Sequence, residues 1–166
     1  MLRKIAIGLI AVAVAWLGGR ALVWALASDE TQIRWKLEDA CEAFGETRMQ
    51  PILDFLARDF VDEMSGYQRD DVRAAVASVF FTAKDPQTKK FPYRAEVVEG
   101  TLAIAMDPAA EDRATLKGTI LVTDTTGGGE RKAWEFQLNG ELVDGDDGWQ
   151  LVRTTHDTSE GNWKLR

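Results

Sequence analysis

The nine-residue stretch Trp134–Leu142, WEFQLNGEL, alternates apolar and polar residues more cleanly than any other part of the chain. Successive side chains of a β-strand point to opposite faces of the sheet, so this period of two predicts a strand with one buried face and one solvated face. The same pattern runs through Leu116–Thr123, and a last strand is predicted over Trp149–Asp157. Because the connecting segments are rich in Gly and Asp, we expect an antiparallel meander.

Upstream of the meander, a fourth strand is predicted over Tyr93–Met106, with a kink at Gly100. Three helices are predicted before it, beginning near Ser28, Pro51 and Asp70. The first of them ends near Gly45, and the apolar side of the second consists of Ile52, Leu53, Phe55 and Leu56. We therefore expect an α+β fold in which three helices cover the apolar face of a four-stranded antiparallel sheet.

The beginning of the chain has a different composition from the rest. Arg3 and Lys4 precede the apolar segment Ile5–Ala27, which as a helix would reach roughly 35 Å and could cross a hydrocarbon core of about 30 Å. We expect a membrane anchor, and the alternative is a signal peptide that is cleaved near Ala27. Both interpretations keep Arg3 and Lys4 inside, so they predict a domain outside the cytoplasm, in the periplasm.

Separating residues 1–27 leaves a domain, residues 28–166, with 17 basic and 27 acidic residues and a net charge of −10. This charge argues against nucleic-acid binding, which depends on Lys and Arg contacts with phosphate. A single Cys and a single His exclude a disulfide framework and a zinc or iron–sulfur site within the chain, and no cofactor is expected. Gly127–Gly129 and Asp144–Asp147 lack the further residues of a phosphate loop and a calcium loop, and are predicted to be turns.

Two segments resemble the opening and closing parts of one superfamily. The first, Leu37–Phe81, contains the run Arg58-Asp59-Phe60-Val61 and the helix start Asp71-Val72-Arg73, and the second is Asp147–Arg153, in which a Gly and a Trp precede alternating apolar residues. They resemble the nuclear transport factor 2-like superfamily, which includes SnoaL-like and ketosteroid isomerase-like domains. The resemblance implies a cone-shaped fold, with helices in the concavity of a curved sheet, often with a pocket and often as a homodimer.

That superfamily contains isomerases, dehydratases and cyclases as well as non-catalytic binding and scaffolding domains, so the resemblance leaves the activity open. The residues predicted to face inward on the first three strands include almost no titratable group, whereas acid–base catalysis needs a positioned acid or base. We therefore expect a non-catalytic domain that binds a small hydrophobic ligand, a peptide or a partner protein. The alternatives are an isomerase, dehydratase or cyclase that acts on a hydrophobic small molecule, and a structural domain of an envelope assembly.

Alternation along the last strand places Trp149, Leu151 and Arg153 on the inner face and His156 on the outer face. A bulge of one residue would be needed to turn His156 inward. Arg153 is then the basic side chain near the open end of the concavity, where it would bind a carboxylate or phosphate. The alternative is an ion pair with a carboxylate such as Asp59 or Asp62.

The predicted ligand-binding residues are Arg153, Trp149, Trp134 and Tyr93. No metal site is predicted and no catalytic residue is assigned, and the side chains considered for catalysis are His156, Asp157 and Tyr67. A Cys41–His156 dyad is a conceivable nucleophilic site. Because Cys41 lies in the apolar stripe of the first helix, it is instead predicted to pack in the core.

Overall fold

The computed structural model of the chain describes residues 27–85 and 87–161. Three helices and six strands follow one another along this part of the chain. In chain order they are α1 (Asp29–Gly45), α2 (Met49–Asp54), β1 (Leu56–Asp62), α3 (Arg69–Thr82), β2 (Tyr93–Val97), β3 (Ala103–Asp107), β4 (Ala110–Asp124), β5 (Arg131–Gly145) and β6 (Gly148–Gly161).

Helix α1 begins and ends as its sequence predicts. The Ser28 hydroxyl oxygen accepts a hydrogen bond from the Thr31 backbone N–H at 3.4 Å, and two acidic residues in the first turn face the positive end of the helix dipole. Ile33, Leu37 and Cys41 form the buried stripe of this helix. Through this stripe α1 covers the apolar face of the sheet.

All six strands belong to one mixed sheet. Its order is β1-β6-β5-β4-β2, and β3 pairs with β4 beside β2. Strand β1 runs parallel to β6, whereas every other pair is antiparallel. The α+β class and the meander of β4, β5 and β6 are confirmed, but the prediction of four antiparallel strands is wrong.

The two additional strands have separate causes. The predicted second helix ends at Asp54, because Leu56–Asp62 pairs with β6 as a strand at the edge of the sheet. The predicted long strand is interrupted between β2 and β3, where Gly100 has φ +76°. A left-handed residue of this kind turns the chain out of the sheet and ends the pairing of β2.

The core lies between α1 and the inner face of the sheet. Its most deeply buried large side chains are Trp149, Ile33, Leu116 and Leu142. Helix α3 contributes less to this core than α1 does, since none of its residues is fully buried. The fold is therefore closed under α1 and less filled under α3.

A bulge in β6 changes which side chains of this strand face the helices. Leu151 lies opposite Leu142 and Arg153 lies opposite Glu141, so Val152 is the extra residue between them. Beyond the bulge the parity is reversed, and Thr154 is buried while Arg153 is exposed. The predicted inward position of Arg153 and outward position of His156 are therefore wrong.

The predicted anchor or signal peptide comprises residues 1–27, and all of it except Ala27 lies outside the described residues. Among the helices of residues 27–85 and 87–161, none has the length and apolar character needed to cross a bilayer.

We expect Gly140→Ala to destabilise the fold, because a Cβ at this inner-face position would lie 2.5 Å from Leu151 Cδ1, inside the core. Overpacking of this kind costs about 1–3 kcal/mol of unfolding free energy. Gly129→Ala is the matched control, since a Cβ there meets nothing within 4 Å. Urea denaturation of both variants measures the difference, and equal stabilities would contradict the tight packing at Gly140.

Candidate functional site

The last residue of β1, Asp62, carries a carboxylate buried on the inner face of the sheet. Its side chain accepts four hydrogen bonds from three residues. Oδ2 accepts from the Ser65 backbone N–H at 3.0 Å and from the Ser65 hydroxyl at 2.5 Å. Oδ1 accepts from the Thr154 hydroxyl at 3.1 Å and lies 3.1 Å from His156 Nδ1.

These partners come together through strand register and a tight turn. In the parallel pairing of β1 and β6, Asp62 lies opposite Thr154, and the bulge sets His156 on the same face two residues farther along. The chain then turns after β1, with Gly66 at φ +73°, and this turn returns Ser65 to the Asp62 carboxylate. The constellation thus combines two neighbouring strands and one turn.

Two opposing effects act on the pKa of Asp62. Burial disfavours the charged carboxylate and by itself would raise the pKa. The hydrogen bonds from the Ser65 hydroxyl and backbone N–H, together with those from Thr154 and His156, favour the charged form and outweigh burial, so the pKa lies below its usual value. Asp62 is therefore ionised at neutral pH although its side chain is only 8% exposed.

An ionised carboxylate can only accept hydrogen bonds, so His156 Nδ1 must carry a proton and donate it to Asp62. The neutral ring then has its lone pair on Nε2. Within the described part of the chain, no group hydrogen bonds to Nε2, and the His156 side chain is 38% exposed. The pair therefore presents an oriented imidazole that can take up a proton at Nε2, and the Asp62 carboxylate would stabilise the imidazolium that forms.

Apolar side chains adjoin this pair on the inner face. Leu138 lies directly opposite His156, and Phe136 and Trp134 continue the same face along β5. All three side chains are only half-buried, as is Val72 of α3, which packs against the core. These side chains therefore leave apolar surface partly exposed on the inner face beside His156.

A series of aromatic contacts begins at Trp134 and leads to the helices. The rings of Trp134 and Tyr93 have centroids 5.0 Å apart, and Tyr93 contacts Phe91 at 5.6 Å. Phe91 in turn contacts Phe44 of α1 and Phe80 of α3, at 5.3 Å and 5.2 Å. Burial, with a smaller effect of Asp124, raises the pKa of the Tyr93 hydroxyl. The structure thus brings together the predicted ligand-binding residues Trp134 and Tyr93.

The other two predicted ligand-binding residues, Arg153 and Trp149, do not lie beside Trp134 and Tyr93. Arg153 lies on the outer face, where its guanidinium is 3.7 Å from the Glu63 carboxylate across a shallow depression of about 170 Å³. The predicted alternative of an ion pair is thus realised, with Glu63 in place of Asp59 or Asp62. Trp149 is 1% exposed, and its indole N–H donates to the Asp29 carboxylate at 3.2 Å, so it belongs to the core.

Three predicted residues remain, namely Tyr67, Asp157 and Cys41. Tyr67 is exposed in the turn after β1, where its backbone carbonyl accepts a hydrogen bond from Asp62 N–H. The backbone of Asp157 lies opposite Gln137 on β5. Cys41 is buried, and burial raises the pKa of its thiol to about 12, so the thiolate needed for a Cys41–His156 nucleophile does not form at neutral pH.

Over residues 27–85 and 87–161, no group of three His, Cys, Asp or Glu side chains is arranged to hold a metal ion.

Sequence reasoning missed Asp62 as a functional residue and placed it only as an ion-pair partner for Arg153. The apolar run after Pro51 predicts a helix, followed by a buried segment at Phe60 and Val61. Because no strand is predicted there, Asp62 is not assigned to a face of the sheet. A strand alternation is present in Phe60-Val61-Asp62, and extending it would have placed Asp62 on the face of Phe60. The bulge at Val152 has no comparable signal in the sequence.

No protein-family model matches the chain, and no curated protein matches it either. Solved structures do match. An NTF2-like protein with a cystatin-like fold from Novosphingobium aromaticivorans is 13% identical, with a TM-score of 0.60, over 89% of this chain and 90% of that one. A candidate scytalone dehydratase from the same organism is 13% identical, with a TM-score of 0.62, over 81% and 87% of the two chains.

A third similar structure is Aln2 from a Streptomyces species, which is 7% identical with a TM-score of 0.63 and covers 77% of this chain and 88% of its own. At these identities the similarity concerns the fold alone. The chain has the nuclear transport factor 2-like, or cystatin-like, fold that the sequence motifs predicted.

We expect the imidazole of His156 to be in the Nδ1–H tautomer. Because the chain contains a single His, a long-range ¹H–¹⁵N spectrum reports this ring without further assignment. In Asp62→Ala the acceptor of the Nδ1 proton is lost, and the spectrum should move toward the Nε2–H form that free imidazole side chains favour. The same tautomer in both proteins would contradict a positioning role for Asp62.

Proposed function

We propose that this domain is an acid–base enzyme of the isomerase, dehydratase or cyclase kind, which acts on a hydrophobic small molecule bound between α3 and the inner face of the sheet. The observation that carries the proposal is the Asp62–His156 pair. In it a buried, ionised carboxylate with four hydrogen bonds holds an imidazole whose second nitrogen has no partner among the described residues. The expectation of a non-catalytic domain rested on the near absence of titratable groups from the inner face of three predicted strands, whereas Asp62 and His156 lie on that face in β1 and β6.

His156 is the proposed general base. Its Nε2 removes a proton from a carbon or oxygen of the substrate, and the imidazolium that forms is stabilised by the Asp62 carboxylate 3.1 Å away. In the second half of the reaction the same imidazolium returns the proton, either to another carbon or to a leaving hydroxyl. Asp62 is a positioning residue in this scheme, because its own oxygens are occupied by Ser65, Thr154 and His156.

The apolar surroundings define the substrate class. Leu138, Phe136 and Trp134 extend from His156 along β5, and on a strand the spacing from residue 138 to residue 134 corresponds to about 13 Å. A substrate of that length would be recognised mainly through burial of apolar surface against these side chains. Among the similar structures, one protein carries the name of a candidate scytalone dehydratase, which supports dehydration as one reaction to test.

A generic probe separates catalysis from binding. 5-Nitrobenzisoxazole is a flat apolar molecule whose ring opens when a base removes its C3 proton, and the phenolate product is coloured. We expect the domain to accelerate this ring opening, and His156→Ala to lower the rate about 10²-fold, within the range ascribed to general-base catalysis. Asp62→Asn should lower kcat with little change in KM, because it alters proton transfer and leaves the apolar contacts intact.

The matched control is Arg153→Gln, on the outer face of the same strand and three residues from His156, which should keep the full rate. If His156→Ala also keeps the full rate, His156 is not the base and the proposal fails. If the probe binds but neither the unmodified domain nor any variant turns it over, the domain is a non-catalytic binding domain for hydrophobic ligands. That is the function that the sequence first indicated.

We also propose that the domain works outside the cytoplasm, tethered by the apolar segment Ile5–Ala27, with Arg3 and Lys4 on the cytoplasmic side. Cell fractionation followed by N-terminal sequencing tests this. A tethered protein stays in the membrane fraction with an intact N-terminus. A mature protein that starts at Ser28 and is found in the soluble periplasmic fraction would replace the tether with a cleaved signal peptide.

A further inference from the structure

A groove of about 580 Å³ lies between α1 and β2, at the opposite edge of the sheet from the Asp62–His156 pair. Apolar side chains line part of it, namely Cys41, Ala95 and Val97. Glutamates of both elements line it as well, namely Glu38, Glu42, Glu46 and Glu96, and Arg94 is the basic residue among the lining side chains. The groove therefore combines an apolar surface with an acidic border.

Backbone groups of β2 also face this groove. Val98 N–H donates to Thr119 O of β4. In an antiparallel pair, the N–H and C=O of one residue point toward the partner strand, and those of the next residue point away from it. Counting back from Val98, Ala95 and Val97 direct their N–H and C=O groups away from β4, toward the free edge. In residues 27–85 and 87–161, no strand pairs with this edge and no other hydrogen bond reaches these groups.

The charges of the border are largely unmatched. Glu46 pairs with Arg48 at 2.6 Å, but Glu38, Glu42 and Glu96 form no ion pair within the described part of the chain. A bound segment with Lys or Arg side chains would pair with these carboxylates while its backbone satisfies the edge of β2.

From these observations we propose that the groove between α1 and β2 binds an extended, basic peptide segment of another protein, which adds to the sheet as a strand beside β2. Its backbone pairs with Ala95 and Val97, and the Lys or Arg side chains on its inner face lay their apolar stems on the groove surface and direct their charges to Glu38 and Glu42. Its alternate, apolar side chains lie on the other face of the sheet. This is the binding mode in which main-chain hydrogen bonds supply affinity and alternate side chains supply specificity. The site is separate from the proposed catalytic pair, so either can fail without the other.

The probe is a fluorescein-labelled peptide of alternating lysine and valine, KVKVKVK, measured by fluorescence anisotropy with the whole domain. We expect binding, with backbone amide shifts of Ala95 and Val97 in a ¹H–¹⁵N spectrum. A peptide of the same sequence with alternate backbone nitrogens methylated keeps the charge but cannot pair as a strand. It should bind about tenfold more weakly or worse, because it loses the main-chain hydrogen bonds to the edge of β2.

The double variant Glu38→Gln/Glu42→Gln should weaken binding of the unmethylated peptide roughly three- to tenfold, as expected for two exposed ion pairs. The matched control is Glu111→Gln/Glu141→Gln, which removes two exposed carboxylates from other strands and should leave the affinity unchanged. Equal binding of both peptides, an equal loss in both double variants, or amide shifts confined to other strands would overturn the proposal. So would concentration-dependent dimerisation through β2 in sedimentation, because a second copy would then be the occupant.

Discussion

The extra residue Val152 in β6 decides the chemistry of the inner face. Without it, the sheet would direct Arg153 toward the helices and His156 toward solvent. With it, Thr154 and His156 join Trp149 and Leu151 on the inner face, and they meet Asp62 of the neighbouring parallel strand. A bulge leaves one residue out of the ladder, and here that irregularity assembles a buried polar cluster inside an otherwise apolar surface.

The cluster is stable because every oxygen of Asp62 has a donor. A buried carboxylate without hydrogen-bond donors is unfavourable to ionise. Removing one donor from this network would therefore leave a buried oxygen without a hydrogen bond and destabilise the fold. Ser65 satisfies one oxygen through both its backbone and its side chain, and Thr154 and His156 share the other. The tight turn after β1 is thus as necessary to the site as the two strands.

Much of the fold follows from patterns that the sequence displays. The stripe from Ile33 to Cys41, the cap at Ser28 and the alternation of Trp134–Leu142 each depend on neighbours close in the chain, and each was predicted as the structure has it. Strand β1 was missed because its identity depends on pairing with β6, about ninety residues away. The polar cluster on the inner face was missed for a related reason, since the bulge is visible only in the pairing of β6 with β5, where Leu151 lies opposite Leu142 and Arg153 lies opposite Glu141.

Helix α3 is fixed at its two ends and has few buried side chains between them. Its ends are held by the Arg69 guanidinium, which donates to the carbonyls of Leu53 and Leu56, and by the contacts of Phe80 with Phe44 and Phe91. Between these ends no residue is fully buried, and Val72 is the residue that packs against the core from this stretch. The exposed positions of α3 can therefore change at little cost in folding, so the surface that this helix presents can vary while the core under α1 stays constant.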